Sequence, residues 1–107
     1  MSQFSCLVQE ASAADTSRGQ LEERLAAMHE AHYPGESTSV TWRAIPAGHM
    51  FTEGRQSTSS IIACQLGHTT TIDEREGYMR AVCDLWTDVT GCTDHEIVVS
   101  LSEAPSA

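Results

Sequence analysis

Residues 59–102, SSIIACQLGHTTTIDEREGYMRAVCDLWTDVTGCTDHEIVVSLS, hold the pattern from which a fold is predicted. The apolar run Ser60–Leu66 is bounded by Gly67, and its length suits a strand better than a helix. Thr71 and Glu74 then match a capping box, in which a hydroxyl and a carboxylate satisfy backbone N–H groups at a helix start. A strand followed by a helix is therefore predicted.

The predicted helix is amphipathic. Positions i, i+4, i+7 and i+11 are apolar and share one helical face: Tyr78, Val82, Leu85 and Val89. Gly91 supplies a left-handed stop, and the β-branched run Ile97–Leu101 follows. Two strands joined through a helix usually lie parallel, with a right-handed crossover, so this half of the chain is predicted to be a βαβ unit.

The first half shows the same order of elements. Phe4 to Val8 is predicted to be a strand, and Gln9 to Ser17 a loop. A helix is expected from about Gly19 to His32, since its apolar face has the same spacing: Leu21, Leu25, Met28 and, weakly, His32. Pro34 and Gly35 end that helix, and the alternating segment Thr38 to Ile45 is a second strand.

The two halves align at an offset of 57 residues, which places Phe4 on Ile61, Leu25 on Val82 and Trp42 on Val99. Such a repeat predicts one domain over residues 1–107, with pseudo-repeats at about 2–45 and 59–102 joined by a polar loop at 46–58. The predicted fold class is α+β: a four-stranded mixed sheet with both helices on one face.

The sheet has a second, uncovered face in this arrangement. Strands such as SIIACQL and HEIVVSL look apolar on both faces, so the uncovered face is expected to be apolar. A large exposed apolar patch favours burial against other subunits, and an oligomer is therefore predicted.

Composition narrows the function. The net charge is -9, from 15 acidic and 6 basic residues, and all the basic residues are arginine. The absence of lysine excludes a Schiff-base or phosphate-loop lysine, and the negative charge argues against nucleic-acid binding. No apolar run is long enough to span a bilayer, and the first ten residues lack the pattern of a signal peptide. We expect no membrane partner and a cytoplasmic location.

Metal and redox chemistry are not indicated either. The four cysteines form no CxxC pair, so reduced and mostly buried thiols are expected. His29 and His32 could share a helix face, but without a third ligand we interpret them as packing residues. We therefore expect no metal site and no cofactor.

Two stretches carry a family resemblance: VTWRAIPAGHMFTEG at 40–54, and SIIACQLGHTTTIDEREGYMRAVCDLWTDVTGCTDHEIVVSLSE at 60–103. Their ordered set of strand, proline-containing loop, strand, helix and closing strand resembles the tautomerase superfamily, which includes 4-oxalocrotonate tautomerase and macrophage migration inhibitory factor. The resemblance covers nearly the whole chain. It implies a homotrimer with the sheets facing inwards, and pockets near subunit boundaries around each amino terminus.

The sequence departs from that family at two functional positions. Family enzymes use an amino-terminal proline as general acid or base, and the alignment of the first strand puts Ser2 at that position. Many relatives carry arginine near the end of the third strand, where this chain has Gln65, Gly67 and His68. The proton-transfer group and one carboxylate-binding charge therefore differ from the family pattern.

Six candidate site residues follow. If Met1 is removed, the α-amine of the next residue has an unperturbed pKa of about 7.7–8.0, in range for acid–base work; the alternative is a mere chain end. Arginines can hold a carboxylate bidentately or stay solvated, and aromatic residues can wall a pocket or pack in the core. The predicted catalytic residues are Ser2, Arg43 and Arg55, and the predicted substrate-binding residues are Trp42, His49 and Phe51.

Two functions remain open at this point. The first is a tautomerase-like isomerase or lyase that acts on a small keto or enol carboxylic acid, with the terminal amine moving a proton and an arginine holding the carboxylate. The second is a catalytically inactive trimer with the same fold that acts as a binding or scaffold protein. The missing proline leaves it undecided whether the protein is an enzyme.

Overall fold

A computed structural model describes residues 1–103, and its central feature is a four-stranded sheet. Six strands and three α-helices follow in chain order: β1 (Ser2–Gln9), α1 (Ala13–Thr16), α2 (Arg18–His32), β2 (Thr38–Ile45), β3 (Phe51–Thr52), β4 (Arg55–Gln56), β5 (Ser60–Leu66), α3 (Ile72–Thr90) and β6 (Ile97–Glu103). A 3-10 turn, Asp94–Glu96, precedes β6. No helix within residues 1–103 combines the length and apolarity needed to cross a membrane.

The sheet order is β2-β1-β5-β6, which confirms the predicted fold class. β1 runs parallel to β2, and β5 runs parallel to β6, so each half of the chain is a βαβ unit. The two inner strands, β1 and β5, pair antiparallel and join the units into one mixed sheet. Because the inner strands run in opposite directions, β1 begins at the end of the sheet where β5 finishes.

The core lies between one face of the sheet and the two long helices. In β1 and β5 the even-numbered side chains are buried there and the odd-numbered ones face away, as the two-residue period of a strand requires. The helices contribute fully buried apolar side chains from matching positions: Leu21 and Leu25 from α2, and Tyr78, Val82 and Trp86 from α3.

The repeat offset of 57 residues is wrong for the first strands. Phe4 is buried against the helices, but Ile61 is only half-buried and faces the other way. The structural counterpart of Phe4 is Ile62, which is fully buried. The two inner strands therefore match at an offset of 58 residues. Since a shift of one residue reverses the face of a strand, apolar character alone could not distinguish two adjacent isoleucines.

The uncovered face of the sheet is less apolar than predicted. Ile61, Ala63 and the exposed Val98 lie on it, but so do many polar side chains, among them Gln3, Ser5, Gln65, Ser100 and Ser102. The expectation of two apolar faces is wrong because SIIACQL alternates: its serine, second isoleucine, cysteine and leucine all face the helices.

The helix ends follow the predicted chemistry only in part. The Thr71 hydroxyl accepts the Glu74 N–H at 3.2 Å, but the Glu74 carboxylate turns to Tyr33 instead of closing a capping box. The reciprocal pair occurs at Thr93 and Glu96, ahead of β6. Gly91 adopts the predicted left-handed conformation, with φ of 74°.

Three further details differ from expectation. On α2 the buried histidine is His29, while His32 is exposed. The buried positions follow each other at intervals of four residues, Leu21, Leu25 and His29, so the core-facing stripe does not include His32. The segment expected to be a loop at 9–17 contains the single turn α1. The loop at 46–58 contains the small hairpin β3–β4, in which Phe51 pairs with Gln56. The sequence of these short strands has no alternation that would predict them.

All four cysteines are free thiols, which agrees with the predicted reduced state. Cys6 and Cys64 are buried in the core, where desolvation raises the pKa of each thiol to about 12. Cys83 and Cys92 are only half-buried, so the expectation of mostly buried thiols holds for two of the four.

Substitution of the adjacent residues Ile61 and Ile62 tests which face of β5 packs against the helices. Ile62→Ala is expected to cost about 2–5 kcal/mol of unfolding free energy, because it leaves a cavity in the core. Ile61→Ala, the matched control, is expected to cost clearly less in urea denaturation of the dilute protein. Equal losses, or a larger loss at Ile61, would contradict the assigned register.

Candidate active site at the amino-terminal end of the sheet

Ser2 is held in place at the start of β1. The residue is buried, and its backbone N–H donates to the Ser37 carbonyl at 3.0 Å. Its hydroxyl donates to the Glu36 carboxylate and accepts the Gly67 N–H at 3.2 Å. The parallel pairing of β1 with β2 brings Glu36 there, since Ser2 is in register with Thr38.

The Glu36 carboxylate is the centre of this cluster. One oxygen, Oε2, lies 2.9 Å from His68 Nδ1, and the other, Oε1, lies 3.4 Å from His29 Nε2. Burial by itself would raise the pKa of the Glu36 carboxyl. The hydrogen bond from Ser2 and the nearby His68, His29 and amino terminus outweigh that effect, so the pKa is lowered and the group is ionised near neutral pH.

His29 is a neutral imidazole within the core. Burial lowers its pKa, and the Glu36 carboxylate offsets only part of that shift. Its Nδ1 lies 2.8 Å from the Tyr78 hydroxyl, whose own pKa is raised by burial. A phenol that stays protonated donates to Nδ1, and the imidazole proton is then on Nε2, where it faces Glu36.

His68 has one nitrogen without a partner. Its Nδ1 is next to Glu36, and its Nε2 is buried with no hydrogen bond to any residue within 1–103. The Tyr33 ring packs edge-on against the imidazole, with ring centroids 4.2 Å apart. In the neutral imidazole, a proton on Nδ1 would face the carboxylate and Nε2 would carry the lone pair that a general base requires.

Met1 packs closely against Gly67. A β-carbon at position 67 would come within 2.7 Å of the Met1 carbonyl oxygen, so only glycine admits the chain terminus here. The Met1 side chain is exposed. Because Met1 precedes the buried Ser2, its removal would create an amino group beside Glu36 and the loop that carries His68.

Arg43 and His49 lie far from this cluster in the same protomer. Both are exposed and line a groove of about 420 Å³ near Ile45 and Pro46, where β2 ends. Arg43 is in register with Leu7, five residues along β1 from Ser2, which corresponds to about 16 Å of strand. The structure therefore brings these two predicted residues together, but not with Ser2.

The other predicted residues are also remote from Ser2. Phe51 and Arg55 are exposed on the β3–β4 hairpin, which follows β2. Trp42 is on the helix-facing side of β2, where it stacks on Trp86 with ring centroids 5.9 Å apart. Within the protomer, Trp42 therefore packs against the core. Roles for these residues in a site remain predictions.

Sequence reasoning missed the residues that surround Ser2 in the structure. Glu36 had no motif, but its position just before a strand parallel to β1 was a usable signal. His68 was noted as standing where many relatives carry arginine and was not predicted to lie beside Ser2, and His29 was interpreted as a packing residue. Within residues 1–103, no three histidine, cysteine, aspartate or glutamate side chains are grouped so as to hold a metal ion.

Solved structures share this fold over nearly the full chain. Native Ps01740 has a TM-score of 0.88 and 23% identity, with 97% of this chain and 95% of that chain covered. Pt0534, described as inactivated by 2-oxo-3-pentynoate, has a TM-score of 0.86 and 22% identity, with 98% and 87% covered. A wild-type fused 4-OT symmetric trimer has a TM-score of 0.82 and 14% identity, with 96% and 85% covered.

These similarities confirm the tautomerase-type fold that the sequence resemblance implied. At such identities they establish the fold alone. No protein-family model and no curated protein matches the sequence.

The buried histidine makes stability depend on pH. The pKa of His29 is lower in the folded protein than its ordinary value of 6.5. The unfolded chain therefore takes up the proton first, and stability is lost as pH falls below 6.5 towards the folded pKa. Urea denaturation between pH 7.5 and 5.5 is expected to show this loss, and His29→Gln should reduce its slope. The exposed His32→Gln is the control, and an unchanged slope in His29→Gln would contradict the assignment.

Proposed function

We propose that the protein is a proton-transfer enzyme that interconverts the enol and keto forms of a small carboxylic acid at the end of its sheet where β1 begins. The observation that carries the proposal is the ionised Glu36 carboxylate, which contacts both the hydroxyl of Ser2 and the imidazole of His68. One carboxylate thus holds an imidazole next to the residue whose amine would be freed by the loss of Met1. Such an arrangement suits a reaction in which one group gives a proton and the other takes one.

The proton donor in this proposal is the α-amine of Ser2, exposed by removal of Met1. An α-amine has an unperturbed pKa of about 7.7–8.0, and a neighbouring carboxylate favours its charged form. The amine would therefore be an ammonium near neutral pH. The primary amine of Ser2 would thus take the place of the proline amine in the family pattern, at the start of β1.

The proton acceptor is Nε2 of His68. Glu36 orients this imidazole through Nδ1, as a carboxylate orients the histidine of a catalytic triad. Nε2 takes the proton from the enol hydroxyl, the electrons of that bond form the carbonyl, and the C=C pair takes a proton from the ammonium to form the new C–H bond. The proton then returns from His68 to the amine through solvent. The reaction is an isomerisation and needs no cofactor.

The substrate carboxylate needs a cationic partner that the cluster around Ser2 does not itself contain. Arg43 and Arg55 are free to serve from exposed positions, but in one protomer Arg43 is about 16 Å of strand away from Ser2. A second copy of the chain can bring an arginine to this site. We therefore propose a homotrimer with inward-facing sheets, in which Arg43 or Arg55 of one protomer, with His49 and Phe51 as lining, completes the site of its neighbour, while Trp42 stays packed on Trp86.

Two of the similar structures support this proposal. The inactivator of Pt0534, 2-oxo-3-pentynoate, is a small oxo acid of the class proposed here, and the fused 4-OT structure is a symmetric trimer. The mixed polar and apolar face of the sheet supplies a surface for such contacts. The proposed trimer differs from an obligate apolar interface in having serine, threonine and glutamine side chains at its centre.

A second candidate function has its own supporting observation. With Met1 in place, the Ser2 nitrogen is an amide whose N–H donates to Ser37, and an amide is neither acidic nor basic enough to act as a general acid or base at neutral pH. A chain that retains Met1 would keep the fold and a binding site but not the acid. It would then be a binding or scaffold trimer.

The first test separates these two functions. Intact mass identifies the first residue of the natively expressed protein, and ketonisation of the enol of phenylpyruvate and of 2-hydroxymuconate is then measured with and without Met1. Activity is expected only in the form that begins at Ser2. Ketonisation no faster than buffer in both forms would remove the enzyme function for these substrates.

Glu36→Gln and His68→Gln are each expected to lower kcat by about 100-fold or more, since each removes a step of acid–base catalysis. Glu23→Gln, at an exposed position on α2, is the matched control and should leave kcat unchanged. A rise in KM alone, with kcat preserved in both site variants, would show that the cluster binds substrate without transferring protons.

A shared site predicts complementation between inactive variants. If Arg43 acts across the boundary, a mixture of His68→Gln and Arg43→Ala chains, refolded together, forms some sites with both groups intact. In a 1:1 cyclic trimer this is about a quarter of the sites. Recovery of activity above that of either variant supports the proposal; no recovery in verified mixed trimers would assign Arg43 to another role.

A further inference from the structure

The segment that carries His68 joins the end of β5 to the start of α3. It spans residues 67–71, and its last residue, Thr71, is the N-cap of α3. Residues 68–70 make no backbone–backbone hydrogen bond to any part of the chain between residues 1 and 103. Backbone groups that lack a partner in a sheet or helix are satisfied by side chains or water. The side chains that bind this segment therefore determine how precisely His68 is placed.

Two hydrogen bonds anchor the segment on either side of His68. The first is at Gly67, whose N–H donates to the hydroxyl of Ser2 at 3.2 Å. The second is at Thr70, whose N–H donates to Oε2 of Glu103 at 2.7 Å. Since the two anchored residues are three positions apart, the imidazole is carried between two fixed points.

The pairing of β5 with β6 brings Glu103 to the second anchor. Glu103 is the last residue of β6 and is in register with Leu66, the last residue of β5. The two parallel strands thus end at the same edge of the sheet, and the side chain of Glu103 reaches the backbone that leaves β5. Its bond to Thr70 is short because a carboxylate accepts a backbone N–H in a charge-assisted hydrogen bond.

Arg75, near the start of α3, holds the same residue from the other side. Its Nη1 donates to the Thr70 carbonyl at 2.9 Å and lies 3.5 Å from Oε1 of Glu103. Side chains therefore bind both the N–H and the C=O of Thr70. The arginine and glutamate side chains are 33% and 29% exposed, and an ion pair so placed contributes little to overall stability. The effect of the pair is local, on the backbone next to His68.

We propose that Glu103, together with Arg75, is a positioning residue for His68. The inference rests on the proposed function, in which Nε2 of His68 takes a proton from the substrate. Glu36 contacts the imidazole itself, at 2.9 Å from Nδ1, while Glu103 holds the backbone two residues further along the chain. Without the second anchor the ring loses its fixed place beside Glu36. A misplacement of about 1 Å can cost about 100-fold in rate.

The first readout is the kinetics of the form that begins at Ser2. Glu103→Ala is expected to lower kcat by about 10- to 100-fold and to change KM by less than about twofold, since Glu103 acts through His68 and not on the substrate. Glu103→Gln keeps an oxygen that can accept the Thr70 N–H, so it should retain most of kcat. Glu23→Ala, at an exposed position on α2, is the matched control. Urea denaturation verifies that each variant is folded.

The second readout is the tautomer of His68, which does not require activity. Two-dimensional 1H–15N NMR of the labelled full chain, at a pH where the imidazole is neutral, shows which ring nitrogen carries the proton. The wild type is expected to carry it on Nδ1, facing Glu36. Glu103→Ala should give a mixture of the two tautomers, whereas Glu103→Gln should match the wild type. Arg75→Gln, which removes the other contact to Thr70, should shift the tautomer in the same direction as Glu103→Ala.

The two readouts together decide the proposal. It is overturned if Glu103→Ala leaves both the tautomer of His68 and kcat as in the wild type. A rise in KM with an unchanged tautomer would also overturn it, because Glu103 would then act in substrate binding. Absence of ketonisation in the wild type would remove the proposed function, and the tautomers of Glu103→Ala and Arg75→Gln would still support or overturn the positioning of His68.

Discussion

The antiparallel pairing of β1 with β5 is the constraint on which the rest of the structure depends. It joins two parallel βαβ units, sets both long helices on one face, and buries Phe4 and Ile62 in a common core. It also fixes where each unit begins. Since the inner strands run in opposite directions, the polar residues at their starts are separated by the length of the sheet, and each end develops its own electrostatic environment.

The surroundings of a glutamate at each end illustrate this difference. At the first end, histidines and the chain terminus surround Glu36 and stabilise its ionised form. At the other end, the Glu96 carboxylate has the Thr93 N–H and the Thr58 and Thr93 hydroxyls as partners, and it caps the turn before β6. The first carboxylate therefore has imidazole neighbours, whereas the second is held by hydroxyl groups and a backbone N–H. The difference comes from a few side chains on a repeated backbone.

Much of the fold was predictable because its signals are periodic or local. The spacing of Leu21 and Leu25, the cap at Thr71 and the stop at Gly91 each identify an element without tertiary information. The face of β5 was not predictable, since Ile61 and Ile62 are equally apolar and only packing chooses between them. The cluster around Glu36 is formed by residues 2, 29, 36 and 68. It required the strand order, which local patterns do not contain.

The close packing of Gly67 on Met1 marks an asymmetry between the two ends of the sheet. The start of β5 lies inside the chain and its nitrogen is an amide, whereas the start of β1 is one residue from Met1. Cleavage of a single peptide bond, after Met1, would therefore change the chemistry of one end of the repeat and leave the other end as it is.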